Sequence, residues 1–329
     1  MALPARIRPD LVLLPPSAPA PISPVEEATL RGYLDASLAG STRRGYAADL
    51  AHFTTWCADH QLASLPAESA TVARYLADLA TNGYAVATLA RRVASISAAH
   101  QARDLDTPTK SLAVRKVLAG IRRTHGVAQH AKAPVLPSDL VAMLAQLDLA
   151  TPRGLRDRAL LLLGFAGALR RAELVALTVA DVQQRTQGLV ITIRQSKTDQ
   201  EGAGAELGIP KGRDKALCPV RALDAWLKAA AIADGPLFRP ITRHGQIKPT
   251  ALADVEVWRL VKRLAEACGL DPADYGGHSL RAGLATAAAQ AGAEERDIMR
   301  QTRHKSERMV RKYIRHAKLF DNNAADGLL

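Results

Sequence analysis

Aromatic residues make up only 4% of this 329-residue chain, cysteines number three, and no long apolar run is present. Each shortage excludes something. With few rings and a text dominated by alanine and leucine, packed helices are favoured over sheet. Cys57, Cys218 and Cys268 lie far apart with no Cys-x-x-Cys pair. That spacing gives no zinc-site or redox-motif signal and fits buried, reduced thiols in a cytosolic protein. No apolar stretch approaches the ~20 residues needed to span a bilayer. Leu11-Val12-Leu13-Leu14, followed at once by prolines, is too short for a signal-peptide core. The expectation is a cytoplasmic protein with no membrane partner. Acidic clusters are missing as well. A divalent metal ion needs carboxylate ligands, so neither a metal nor any other cofactor is expected.

What the chain has in excess is positive charge. It carries 44 Lys+Arg against 32 Asp+Glu, a formal net charge of +12. Such a balance attracts polyanions, and nucleic acid is the commonest partner of a basic, non-membrane chain. A length of 329 residues is comfortable for two domains. Residues 1–24 hold seven of the eighteen prolines and show no helical period, which suggests a flexible arm. Residues 25–127 read as a helical domain of four or five helices. A weak helix falls near Glu26–Leu38. Ser41 or Thr42 is the expected cap of the next, in which Tyr46, Leu50, Phe53 and Cys57 recur at helical spacing. Val72/Tyr75/Leu76/Leu79, Leu89/Val93/Ile96 and Val114/Val117/Leu118/Ile121 mark three more, the last ended by Gly126. Basic residues cluster here, and Arg43, Arg44, Arg91, Arg92, Arg115, Lys116, Arg122 and Arg123 are candidate DNA contacts on phosphates or guanine edges.

Residues 128–136 read as a linker, and 137–329 as a mixed second domain ending in a partly apolar tail, 316–329. Pro137-Ser138-Asp139 carries a capping signal. Leu155–Ala168 is a strongly apolar helix broken at Gly167, after which a short helix carries Arg170 and Glu173. Gly188–Arg194 reads as a strand with Ala205–Ile209 as its antiparallel partner and Lys197 in the turn between them. Helices follow at about 219–231, 250–267, 278–291, 293–302 and 306–315. The fold class is thus mainly α, with a small antiparallel sheet in the second domain.

Six residues of that domain suit one chemistry: Arg170, Lys197, His278, Arg281, His304 and Tyr313. A phosphodiester repels nucleophiles and has a poor alkoxide leaving group. Its cleavage requires charge neutralisation on the nonbridging oxygens, a nucleophile, and a proton for the leaving oxygen. Arginine offers a permanent charge and a planar fork matched to phosphate, so Arg170 and Arg281 can clamp it from two sides. Phenols ionise near pH ~10, and phenoxide becomes accessible beside positive charge, which makes Tyr313 a plausible nucleophile. Lys197 can act as general acid. His278, one helical turn before Arg281, can take or shuttle the tyrosine proton. His304 can donate a hydrogen bond to the phosphate, and Glu173 can orient Arg170. Each element alone is also what an ordinary surface ion pair, turn lysine or core tyrosine looks like. Order and spacing together carry the inference.

That order resembles the tyrosine recombinase (phage integrase) family. Leu169-Arg170-Arg171-Ala172-Glu173-Leu174, Gly277-His278-Ser279-Leu280-Arg281 and His304-Lys305-Ser306 with Tyr313-Ile314-Arg315 match its three boxes, and the wording of the last resembles the Cre-like branch. The resemblance implies a two-domain DNA clamp, with a helical core-binding domain ahead of a catalytic domain. It implies site-specific recombination of double-stranded DNA through a 3′-phosphotyrosyl bond to Tyr313, without metal or ATP. It further implies a homo-tetramer on two DNA sites in the nucleoid, with accessory factors left open. In the family such a C-terminal tail often docks on a neighbouring protomer; packing on its own domain is the alternative. A binding-only regulator and a relaxing topoisomerase are the alternatives. Two departures stand out. Where the family often has Thr-Gly before the first box this chain has Gly167-Ala168, and where it often has Gly before the third-box histidine this chain has Arg303. If that position needs φ > 0, Arg303 carries a strain of about 1 kcal/mol, or adds a phosphate contact.

Overall fold

The computed structural model describes residues 23–127, 132–194, 204–304 and 306–317. The chain divides into two compact units, Met1–Gln129 and His130–Leu329.

The first unit holds five helices: α1 (Pro24–Ala36), α2 (Gly40–Asp59), α3 (Ser69–Thr81), α4 (Val86–Gln101) and α5 (Leu112–His125). α1 begins with a reciprocal cap. The Ser23 hydroxyl accepts from the Glu26 amide at 3.2 Å, and the Glu26 carboxylate accepts from the Ser23 amide at 2.8 Å. Proline in the first helical position fits because its missing N–H would be unpaired there anyway. α2 departs from expectation. It starts at Gly40 with Ala39 in the cap position and no side-chain cap, so Ser41 and Thr42 lie inside the first turn. The apolar stripes of α2–α5 meet in one core, with Phe53, Cys57, Val72, Tyr75, Leu76, Leu89 and Ile96 fully buried.

The second unit is built on α7 (Pro152–Ala166), whose run Ala159–Leu163 is buried throughout. α6 (Pro137–Ala145) precedes it, and Asp139 accepts the Leu136 amide at 3.0 Å, as the capping signal suggested. α8 (Arg171–Ala176) follows, then a three-stranded antiparallel sheet in the order β1 (Val182–Arg185), β2 (Gly188–Ile193), β3 (Ala205–Pro210). β2 and β3 pair as the sequence suggested, with Ile191 opposite Leu207. β1 was not foreseen: Val-Gln-Gln-Arg is almost wholly exposed and shows no apolar alternation to read. α9 (Pro219–Ala229), α10 (Asp254–Ala267), α11 (Ser279–Gln290), α12 (Glu295–Thr302) and α13 (Glu307–Ala317) complete the unit.

α11 sets the architecture of the site. Its small residues admit close neighbours. A Cβ on Gly283 would lie 1.9 Å from the Val135 carbonyl oxygen, so that residue must be glycine for the backbone at 133–135 to run alongside. Ala133 and Val135 donate to the carbonyls of Asp274 and Ser279 there, at 2.8 and 2.9 Å. On the other side Ala285 and Ala289 pack with Ile298 and Val310 in a separate small core that also receives Tyr313 and Ile314. Among the described residues no helix is long and apolar enough to cross a membrane.

Candidate active site

Four segments distant in sequence converge beside α11. Arg281 comes from its first turn and is 1% exposed. Its Nη1 donates to the Ala168 carbonyl at 2.7 Å, while Nη2 is buried with no hydrogen-bond partner among the described residues. Burial, then the nearby charges of Arg170 and Arg303, push its pKa down to about 10, against the opposing pull of Glu173 and Tyr313. The residue stays cationic at neutral pH, yet it sits among other cations. That is the electrostatic signature of a site awaiting an anion.

Arg170 occupies the cap position of α8, in extended conformation, rather than the helix itself. Its own side chain cannot accept a helix N–H, so Glu173 closes the turn instead. The carboxylate accepts the Arg170 amide at 2.9 Å through Oε2, and Arg170 Nη1 through Oε1. Burial alone would raise the pKa of Glu173. The Arg170 amide, the charge of Arg303 and the Arg170 guanidinium outweigh it and hold the carboxyl below its ordinary range. Glu173 therefore orients Arg170, as the sequence suggested, but it also binds Arg303, whose Nη2 donates to Oε2 at 2.7 Å.

The helix break between α7 and α8 is made by two residues. Gly167 supplies space, since a Cβ there would meet the Leu163 oxygen at 3.0 Å. Ala168, not Gly167, adopts the left-handed conformation, with φ +44°. Arg303 also has positive φ, as its place in the third box suggested, at φ 55° and ψ 41°. Both positions where this chain departs from the family's glycines are thus left-handed, at about 1 kcal/mol of strain each.

His304 follows Arg303. Its Nδ1 lies 2.7 Å from the Thr302 hydroxyl, and that hydroxyl lies 2.7 Å from the Ile298 carbonyl. The carbonyl can only accept, so the Thr302 proton goes there and His304 Nδ1 is the donor to Thr302. Burial pushes the His304 pKa down to about 4, helped by Arg281, Arg170, His278 and Arg303. In the free protein the imidazole is therefore neutral at pH 7, with Nε2 an acceptor. Donation to a phosphate from Nε2 requires a proton that an arriving anion would stabilise. The Tyr313 ring packs against His304, with centroids 5.9 Å apart. His278 caps α11 and is exposed. Its charge is felt by His304, so it belongs to the same cluster. Arg171 lies across the same box, its aliphatic stem filling the space where a Cβ on Gly277 would stand, 1.8 Å from Cδ. Lys197 lies outside the described residues, as do Lys305 and the tail beyond residue 317.

The structure thus brings together Arg170, Glu173, His278, Arg281, His304 and Tyr313. Thr302 and Gln301, which order nearby groups, were not foreseen. Gln301 Nε2 donates to the carbonyls of Ala166 and Gly208, at 2.8 and 3.2 Å. Their only signal in the sequence was adjacency to the third box. No group of His, Cys, Asp and Glu able to hold a metal ion occurs among the described residues.

In the first unit, Arg43, Arg44, Arg115, Lys116, Arg122 and Arg123 are exposed. On α5 the last four form one stripe opposite the buried Val114 and Ile121. Arg91 is half-exposed and paired with Asp49 at 3.2 Å. Arg92 departs from expectation. It is 7% exposed, with Nη1 on the Tyr75 hydroxyl at 2.7 Å and on His52 Nδ1 at 2.9 Å, and its guanidinium lies over the Tyr84 ring. That guanidinium is part of the core and not of a free basic surface.

Comparison with known proteins shows the family. Residues 135–319 match the model of the phage integrase family, and residues 32–103 match that of the phage integrase N-terminal SAM-like domain. The chain is 42% identical to an integrase/recombinase xerD homolog of Selenomonas ruminantium, over 88% of this chain and 86% of that one. It is 26% identical to recombinase cre of Escherichia phage P1, over 80% of each. Its fold is similar to that of the XerH site-specific recombinase in a post-cleavage complex with palindromic difH substrate, with TM-score 0.59, 20% identity, and coverage of 79% of this chain and 72% of that one. It is also similar to the Tn1549 transposon integrase bound to transposon right end DNA, with TM-score 0.51, 17% identity, and coverage of 79% and 83%.

Proposed function

The chain belongs to the phage integrase family and is a site-specific tyrosine recombinase, and we propose that Tyr313 is the residue through which it holds DNA. The Tyr313 oxygen attacks the scissile phosphorus as its proton passes to an imidazole, His278 or the Nε2 of His304. The bond to the 5′ oxygen breaks, and that oxygen takes a proton from Lys197. The product is a 3′-phosphotyrosyl ester and a free 5′-hydroxyl. A 5′-hydroxyl from a second strand then attacks the ester and releases Tyr313. One phosphoester bond is exchanged for another at each step, so no ATP is consumed.

Arg170 and Arg281 hold the nonbridging oxygens and offset the charge that develops on them. The observation that carries this assignment is the buried Nη2 of Arg281, unpartnered in a pocket where Arg170 and Arg303 are its charged neighbours. Such a group gains its missing acceptor when a phosphate enters. The α5 stripe Arg115, Lys116, Arg122 and Arg123, with Arg43 and Arg44, contacts the DNA backbone. The units, bounded as 25–127 and 137–329 with a linker 128–136 between, each contact the duplex. Four protomers work on two sites within the cytoplasmic nucleoid, and the tail 316–329 docks on a neighbour. An apolar hollow of about 450 Å³ lined by Leu140, Leu162, Phe165 and Leu284 offers such a tail a seat.

The test is to lyse cells expressing the wild type or Tyr313→Phe in strong detergent and sequence the DNA still attached to protein. DNA sharing a common sequence, held by the wild type and not by the variant, is the expected result. An adduct that survives Tyr313→Phe overturns the assignment of the nucleophile.

A further inference from the structure

Arg303 has no step in the chemistry above, and its backbone makes it an unfavourable occupant of its position. At φ 55° and ψ 41° a glycine would be free of the strain a side chain brings. The side chain is correspondingly well used. It is 12% exposed, and Nη2 donates to Glu173 Oε2 at 2.7 Å. Nη1 reaches the carbonyls of Gly167 and Gln301, each at 3.3 Å. Glu173 Oε2 is also the acceptor of the Arg170 amide, and Oε1 that of Arg170 Nη1. One carboxylate therefore joins the residue before His304, 130 positions from it in sequence, to the first-box arginine. Charge-assisted hydrogen bonds of this kind, made in a largely buried place, fix geometry strongly.

We propose that Arg303 is a positioning residue. Its guanidinium clamps the junction of α12 and α13, which carries His304 and leads to Tyr313, onto the Glu173–Arg170 turn. The nucleophile segment and the phosphate clamp are thereby held in register before DNA arrives. A second consequence concerns charge. Glu173 is shared between two guanidiniums, so it orients Arg170 without neutralising it, and the pocket keeps its excess of positive charge for the phosphate. This inference rests on the reading of Arg170, His304 and Tyr313 as catalytic groups.

Arg303→Gly removes the guanidinium while suiting the left-handed backbone, so relief of strain offsets part of the lost bonds and the variant should still fold, which a Tm measurement checks. Two readouts decide. In the free full-length chain, amide hydrogen exchange over residues 302–313 should quicken in Arg303→Gly and remain near wild type in Arg303→Lys, which keeps the charge. On a nicked duplex of the sequence recovered from trapped adducts, the single-turnover rate of adduct formation should fall about ten- to a hundredfold in Arg303→Gly, with DNA affinity within about twofold. Adding Arg303→Gly to Glu173→Gln should lower the rate by much less than it does alone, since both loosen one clamp. Unchanged exchange, an unchanged rate, or losses that multiply in the double variant would each overturn the proposal. So would a loss of DNA affinity at constant rate, which would make Arg303 a phosphate ligand instead. Failure of the underlying reading shows separately, as an adduct formed by Tyr313→Phe with Arg303 in place.

Discussion

Among the described residues each unit of this protein buries one arginine almost completely, and the two are surrounded in opposite ways. Arg92, in the first unit, has Asp49 at 3.7 Å, the Tyr75 hydroxyl, His52 and the face of Tyr84 around it. Its Nε and one oxygen of Asp49 lack hydrogen bonds, but the charge itself is balanced. Arg281, in the second unit, makes one hydrogen bond to a carbonyl and has Arg170 and Arg303 as neighbours, while the nearby carboxylate, Glu173, is bonded to those two. A balanced buried guanidinium is an element of the core. An unbalanced one is a binding site whose counter-charge comes from outside.

The sharpest way to break this comparison is to remove each arginine in turn. Arg281→Met should lower the rate of covalent adduct formation by about 10³-fold, the scale of losing one charge-stabilising donor. Its stability to denaturant should be unchanged or higher, because a poorly compensated charge has left the interior. A clear loss of stability would mean that Arg281 is structural. Arg92→Met should do the reverse and destabilise the chain by about 2 kcal/mol, since the Tyr75 hydroxyl and His52 lose their buried partner and Asp49 keeps only the half-exposed Arg91. The folded fraction should still form adducts.

The two units also carry one depressed histidine each, which sharpens the comparison through pH. Burial and then Arg92 lower the His52 pKa. Burial and then Arg281 take His304 to about 4. The unfolded chain binds a proton at either histidine near pH ~6.5 while the folded chain does not. Stability supported by His304 is therefore complete above about pH 6.5 and lost progressively as pH falls toward 4. In a titration of Tm against pH, His304→Asn should flatten that slope without abolishing it, since His52 is depressed as well. Glu173, also depressed, contributes stability that is lost as pH falls through the ordinary carboxyl range and below. The smallest effect expected is on DNA affinity. Each exposed cation removed from the α5 stripe should reduce the slope of log K against log salt by about one, whereas Arg92→Met should leave that slope unchanged.

Much of the site could be read from the chain because its boxes are local. His278 and Arg281 are fixed by one helix start, Arg170 and Glu173 by one turn, and the positive φ at Arg303 by the place it takes in the third box. The burial of Arg92 was legible in principle. It stands three residues after Leu89 and four before Ile96, on the core stripe of α4. The polar edge strand β1 offered no pattern. Ser41 and Thr42 offered two caps that the backbone did not use.

What the sequence determined by itself is therefore the inventory: which segments are helical, which side chains suit phosphodiester chemistry, and in what order they come. Periodicity and spacing are properties of neighbours along the chain, and they survive without a fold. Which arginine is neutralised and which is left charged was decided only by the tertiary structure. Glu173 meets Arg303 across 130 positions, Ala168 meets Arg281 across 113, and Tyr313 comes to lie near Arg281. Charge balance in a buried site depends on distance in space, and no spacing along the sequence encodes it.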